Sequence, residues 1–369
     1  MIKQAGSVYR RFYFRLMAQK NSVATIKDIA RECGASVTTV SRVLSNSSYP
    51  VSSQMRDRIV KTAQRLNYTP NLFARGLKTN ESSELAILVP NIVNPFYTSL
   101  VSGIENIAAK EGYNILLYNT NSNNLSEGKI INSIHGKRIS GMIISTGNDN
   151  AEFIRELQSN RKPSVKIVMV DYTAPGCNHS SVYYDYRKGS ALGVEYLIKK
   201  GHRDIVYAGL KPDRRTRADR IEGFKDVIGR AGLHFGEEML CIYDGSANEK
   251  ENLEFYAGIE LAKRICTKND RPTAVVAMND MVAFGLMNYF NREGVKIPQD
   301  ISILGFDDNL FCEVSYPPLT TVRVPSRQMG ELAAKILVDE LRGDGASPYV
   351  NLTVEPSLVE RSTVAEIQE

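Results

Sequence analysis

The sequence predicts an α/β protein in three parts. An N-terminal three-helix headpiece carries a helix-turn-helix, a short hinge helix follows, and a two-lobed domain of doubly wound parallel sheets completes the chain. Three observations carry this prediction. Apolar residues recur at helical spacing as far as Leu66, and from Leu85 onward short apolar runs alternate with amphipathic stretches. Charge divides at the same place. Between Met17 and Thr79 ten basic residues stand against three acids, giving that segment +7, whereas residues 80 to 369 carry −6 within a whole-chain charge of +5. Finally, 369 residues leave room for a small module and two lobes, since folding units usually span about 100 to 200 residues.

The headpiece is organised around Thr25 to Leu44, TIKDIARECGASVTTVSRVL. Thr25 followed by Asp28 is a capping box with an acid in the first turn, where the helix dipole favours it. Ile26, Ile29, Ala30 and Cys33 then share one apolar side. Gly34 supplies the positive φ that ends this helix, and Ser36 caps the next. In the second helix Val40, Val43 and Leu44 face the first, which leaves Val37, Thr38, Ser41 and Arg42 on the opposite side. These side chains suit base edges: Val and the Thr methyl meet a thymine methyl, hydroxyls serve donor or acceptor, and Arg forks onto guanine. A plain helical hairpin with a solvated face shows the same pattern, and the local excess of basic charge tips the balance toward an anionic partner. Val51 to Leu66 forms a third helix with Met55, Ile59, Ala63 and Leu66 inward. Asn71 to Lys78 makes two further turns that, with Gly76 inside, are marginal without a partner.

Composition narrows the function classes. Cys33, Cys177, Cys241, Cys266 and Cys312 are scattered and odd in number, which points to reduced thiols in a cytoplasmic protein without zinc or disulfides. No run approaches the about 18 apolar residues a membrane span needs. HExxH, GxSxG and GxxxxGK[ST] are absent from the sequence, so no enzyme, metal or cofactor is expected. Residues 1 to 21 read as a tail or a non-native extension, with Met17 as a plausible natural start.

From Leu85 the strands are expected at Leu85 to Val89, Asn114 to Tyr118, Gly141 to Ser145, Lys166 to Val170, Ile205 to Gly209, Met239 to Tyr243, Ala274 to Ala277, Ile301 to Phe306, Thr320 to Val322 and Tyr349 to Val354. Helices are expected at Tyr97 to Lys110, Ser126 to His135, Ala151 to Ser159, Tyr186 to Lys200, Arg220 to Ala231, Lys250 to Thr267, Asp280 to Glu293 and Pro325 to Arg342. This βαβ alternation means parallel sheets covered on both faces, with ligands at the carboxyl ends of strands. Asn94, Phe96, Tyr97, Asp171, Asn279 and Asp307 stand just past such ends. Asp280 reads instead as a helix cap. The Gly201–His202 pair reads as a helix end with His202 against it.

TIKDIA, VTTVSRVL, YTPNLFARGLK and LAILVPNIVNPFY, in this order, resemble the lactose-repressor/galactose-repressor (LacI/GalR) family of bacterial transcription regulators, over residues 22 to 363. The resemblance implies a headpiece at 22–69, a hinge at 70–83 and a periplasmic-binding-protein-like core at 84–363. It places the first lobe at about 84–183 plus 324–352, the second at 184–322 plus 353–363, and a tail at 364–369. It implies operator double-stranded DNA as partner, with Val37, Thr38 and Arg42 matching the major-groove readers, Thr25 and Ser36 near phosphates, and Thr39 and Ser41 among the DNA-binding residues. Asn71, Ala74, Arg75, Leu77 and Lys78 would contact DNA from the hinge, with Leu77 wedged into a minor-groove step or packed against its dimer mate. It further implies a homodimer and a sugar or sugar-phosphate effector held by Asn94, Phe96, Tyr97, Asp171, Arg214, Arg220, Asn279 and Asp307. Arg214, Arg215, Arg217 and Arg220 either clamp a phosphate or form a solvated basic loop. Gly245 and Val324 depart from the family's sugar-binding pattern, and Pro50 lengthens the turn before the third helix. The implied function is a repressor whose operator affinity follows the effector. The alternatives are a catabolite-control-type global regulator with a phosphoprotein partner, or a sugar-binding receptor.

Overall fold

The computed structural model describes residues 24–45, 49–68, 83–121, 124–134, 139–147, 165–171, 178–245, 252–267, 271–343 and 349–367. The chain divides into two compact units between Asn80 and Glu81.

In the first unit α1 (Ile26–Cys33), α2 (Val37–Leu44) and α3 (Ser53–Arg65) enclose Ile29, Ala30, Cys33, Val40, Val43, Ile59 and Ala63. Gly34 ends α1 at φ +61°, and its N–H together with that of Ala35 returns to the last turn of the helix. Ser36 and Ser52 cap the next two helices, their hydroxyls accepting from the Thr39 and Met55 N–H groups.

The second unit holds two six-stranded sheets. Chain order runs β1 (Glu84–Val89), α4 (Pro95–Lys110), β2 (Asn114–Asn119), α5 (Asn124–Ile134), β3 (Gly141–Ile144), β4 (Lys166–Val170) and β5 (Ser180–Tyr184) through the first lobe. It continues through α6 (Tyr186–Lys199), β6 (Ile205–Leu210), α7 (Arg215–Arg230), β7 (Leu240–Tyr243), α8 (Leu253–Cys266), β8 (Ala274–Ala277), α9 (Asp280–Arg292), β9 (Ser302–Asp307), α10 (Phe311–Val314) and β10 (Thr320–Arg323) in the second. α11 (Ser326–Arg342) and β11 (Asn351–Val354) return to the first sheet, and β12 (Ser357–Val359) crosses again to the second. The first sheet is ordered β11-β5-β4-β3-β1-β2, all parallel, and the second β12-β10-β9-β8-β6-β7, parallel except for β12 on β10. α11 lies on α4 at a crossing that only glycine permits, since a Cβ on Gly103 or Gly330 would sit 2.1 or 2.2 Å from a backbone oxygen of the other helix.

Several expectations are corrected. β5 and β12 were not anticipated, because SSVYY and SLV are too polar or too short to read as buried runs. α7 starts at Arg215, not Arg220, so the arginine-rich stretch is largely helical. The ion pairs Asp213–Arg217 and Arg215–Asp219, at i,i+4, support its first turns. Asp280 is not the cap: Asn279 accepts from the Val282 N–H at 3.0 Å, and Asp280 is buried, accepting from Thr321, the Asn309 N–H and the Cys312 thiol. His202 does not use its ring on the helix end. The imidazole lies buried between Thr273 Oγ1 at 2.9 Å and the Ala365 carbonyl at 3.2 Å. The helix expected at 151–159 and the hinge helix lie outside the described residues.

Candidate functional site

Each unit carries one candidate surface. On the headpiece, Val37 is 42% exposed and Thr38 is exposed, while Thr39, Ser41 and Arg42 are half-buried. Ser36 and Thr39 hydroxyls are 2.8 Å apart. Thr25 gives both its N–H and its hydroxyl to Asp28 Oδ2, at 3.0 and 2.6 Å. Those bonds, aided by Arg31, hold the Asp28 carboxyl below the usual carboxylate range. Arg42 has its guanidinium carbon 3.9 Å from the centroid of the Tyr49 ring, a partner the sequence reading missed. Asn71, Ala74, Arg75, Leu77 and Lys78 lie outside the described residues.

In the second unit a cleft with about 630 Å³ of open space, its mouth included, lies past the carboxyl ends of β1, β4, β8 and β9. That is where ligands of such sheets sit. Asn94, Phe96, Tyr97, Asp171, Arg214, Arg220, Asn279 and Asp307, all singled out from sequence, line it together. Asn94 and Asn279 are also helix caps, accepting from the Phe96 and Val282 N–H groups at 3.0 Å. Phe96 belongs mainly to the first lobe's core, with Tyr97 edge-on against it at 4.9 Å between centroids.

Tyr186, absent from the sequence-derived set, links the centre of the cleft. Its hydroxyl donates to Asp171 Oδ1 at 2.7 Å, and Ser145 donates to Oδ2 at 2.7 Å. Burial raises the Asp171 carboxyl, with these two bonds pulling the other way. Arg220 lies over Tyr186 and Phe306, its guanidinium carbon 4.1 and 4.5 Å from the ring centroids. It donates to the Thr216 carbonyl at 3.0 Å and stands 3.8 Å from Asp307, while its buried Nε has no partner among the described residues. Asp307 is raised well above the carboxylate range by burial and by Asp280, with Arg220 opposing. Its φ of +125° and the +58° of Asp308 are strained for non-glycine residues. The turn is held by Arg323 and Arg361, both 2.7 Å from Asp308, and by the Val324 N–H on the Asp307 carbonyl. The strained turn thus stands at the end of β9, beside a guanidinium whose Nε is unpartnered among the described residues. Sequence alone had no signal for Tyr186, whose role depends on where β5 ends.

Gly245 offers no aromatic platform, and a Cβ there would press within 2.4 Å of Tyr243; Val324 is buried core. No helix among the described residues is long and apolar enough to cross a membrane.

Comparison with known proteins agrees in both units. Residues 25–71 match the family model of bacterial regulatory proteins of the lacI family, and residues 194–364 match a periplasmic binding protein-like domain. The HTH-type transcriptional repressor PurR of Vibrio atlanticus is 32% identical over 342 residues, 93% of this chain and 99% of that protein. Catabolite control protein A of Priestia megaterium is 30% identical over 91% of this chain and 96% of its own length. A lac repressor dimer bound to operator and the anti-inducer ONPF shares the fold with a TM-score of 0.80 at 24% identity, over 93% of this chain and 99% of that one. A LacI family regulator from Enterococcus faecium with bound ribose gives 0.66 at 25% identity, over 77% and 100%. With the helix-turn-helix, the two lobes and near full-length similarity coinciding, this chain belongs to the lacI family of bacterial regulatory proteins.

Proposed function

We propose that the protein is a transcriptional repressor that reads operator DNA as a homodimer and whose grip is set by a small, hydroxyl-rich effector in the cleft. The observation that carries this is the pairing, in one chain, of an exposed Val37–Thr38 pair with the half-buried Arg42 beside it on a basic headpiece, and a strained, buried Asp307–Arg220 pair in the cleft. Val37, Thr38, Ser41 and Arg42 read base edges, while Thr25, Ser36 and Thr39 lie near phosphates. Residues 70–83 act as the connecting hinge, with Leu77 at its working end. Asp171, Asn279 and Asp307 accept from effector hydroxyls, Arg220 and Asn94 donate to oxygens, and Tyr97 covers an apolar face. The relative with bound ribose supports a sugar-class effector. Leu116 and Leu117, exposed on the edge strand β2, give a second copy an apolar surface.

The test is selection of bound fragments from a genomic library, followed by anisotropy titration over a range of salt. A near-palindromic site bound with a steep negative salt slope is expected. Uniform binding to all fragments contradicts the reading.

A further inference from the structure

Arg42 is held unlike its neighbours in the headpiece. Arg31 pairs with Asp28 at 3.1 Å, and Arg65 pairs with Glu32, whose backbone carbonyl also accepts from Arg58 at 3.3 Å. Those guanidiniums are committed to protein oxygens. The Arg42 guanidinium has no acceptor among the described residues; what meets it is the face of the Tyr49 ring, 3.9 Å from its carbon to the ring centroid.

The kind of hold matters. The five N–H donors of a guanidinium lie in its plane, so a ring above that plane attracts the cation and restricts a long side chain without using a donor. The fork stays free for O6 and N7 of a guanine, whereas a carboxylate partner would occupy it. An arginine already restricted also loses less side-chain freedom on reaching a base.

The ring in turn is tied to α3. Pro50 follows Tyr49 directly and disfavours helical backbone there. Val51 packs against the headpiece core, and Ser52 caps α3 by accepting from the Met55 N–H at 3.4 Å. Tyr49 itself is 46% exposed and outside that core, so core packing does not account for its place beside α2.

We propose that Tyr49 is a specificity-determining residue that acts through Arg42: seated by Pro50, its ring positions the guanidinium while leaving the fork free for a guanine in the major groove. The inference rests on the reading of Arg42 as a base reader. It gives a role to the proline that lengthens this turn.

The probe is a fluorescent duplex carrying the site recovered by genomic-fragment selection, with a set of duplexes substituted at one base pair at a time. Anisotropy with the full chain gives, for each position, the ratio of affinities for the selected and the substituted duplex. Arg42→Ala identifies the position that Arg42 reads as the one whose ratio collapses, expected to be a G·C pair. Tyr49→Leu should lower the ratio at that position about two- to fivefold, the scale of an exposed cation–π contact, and leave the other ratios unchanged. Tyr49→Phe, which keeps the ring, should retain the wild-type ratio, and Tyr49→Leu should lower it no further once Arg42 is alanine. The proposal is overturned if Tyr49→Leu keeps that ratio, weakens binding to all duplexes alike, or acts equally with and without Arg42. It is also overturned if Tyr49→Phe loses as much as Tyr49→Leu. Should Tyr49→Leu not fold, Tyr49→Ala takes its place in the same comparison. Failure of the underlying reading looks different: Arg42→Ala then leaves every ratio at its wild-type value, and the role of Tyr49 falls with it.

Discussion

Arg220 and Tyr186 form one unit, the guanidinium carbon 4.1 Å from the ring centroid while the tyrosine hydroxyl is bound to Asp171. Tyr186 opens α6 directly after β5, where the chain first passes from one sheet to the other. A contact between the second lobe's arginine and the first lobe's acid therefore runs through a residue at the crossover. Ligand that orders Arg220 acts on the joint between the lobes.

Tyr186→Phe keeps the ring under Arg220 and removes the donor, leaving the buried Asp171 with Ser145 alone. An unfilled buried acceptor costs about 1–3 kcal/mol, which denaturant unfolding should read as a lower midpoint at unchanged slope. Tyr186→Leu also removes the ring face and should cost more.

Arg220→Lys replaces a stacked, planar fork with a point charge that cannot face Thr216, Asp307 and two rings at once. Effector affinity, read by calorimetry, should drop about 10- to 100-fold, matching the about 1.5–3 kcal/mol of a charge-assisted bond. Operator binding by the effector-free protein should be unchanged or altered equally for all DNA sequences.

Arg42→Ala should cost about 1–3 kcal/mol of discrimination at one base pair, because Arg42 is assigned to base readout rather than to the headpiece core. Tyr49→Ala removes the ring beside Arg42, and about 0.5–1 kcal/mol is expected from that contact. Neither should move the headpiece melting transition by more than a degree or so on the scale of surface substitutions. Anisotropy against operator and single-base variants separates the two.

Much of this architecture was readable in advance because it rests on periodicity. Lys166 to Val170 and Ala274 to Ala277 are apolar on every residue but one lysine; the first strand ends where its run does, before Asp171, and the second stops one residue short of its run, which ends at Met278. The Thr25–Asp28 box and Gly34 marked α1 through local chemistry alone. Asn94, Asp171, Asn279 and Asp307 were found because strand ends point at ligands in this kind of sheet. The rest depended on long-range pairing. β5 reads as polar because its serines bond elsewhere: Ser181 donates to Asn351, 170 residues on, and Ser180 to Glu340. Tyr186, Glu127 and Tyr49 gain their partners only in three dimensions. Arg214 looked like loop charge because its acceptors, Thr146 and Glu127, lie far back in the chain.

His202 makes a pH prediction. Burial lowers its imidazole below the ordinary value, the Ala365 carbonyl opposing. The folded protein thus favours the neutral ring, and its stabilisation is complete above about pH 6.5, the unfolded value. Below that the unfolded chain takes up a proton first, and stability declines until the folded ring also titrates. The buried Asp171 and Asp307, whose carboxyls are raised, change stability in the opposite sense on acidification. The difference between wild type and His202→Gln in melting temperature from pH 7.5 to 5 isolates the histidine, and the variant should show the shallower loss attributable to this site.

The most direct measurement is operator affinity by anisotropy, with and without a sugar that calorimetry shows to bind the cleft, in the wild type and in Asp307→Asn. Cleft occupancy should change wild-type affinity by about tenfold, a coupling of about 1.4 kcal/mol, and leave Asp307→Asn unresponsive at the same sugar concentration. Equal operator affinity in the wild type, cleft empty or filled, would contradict the account.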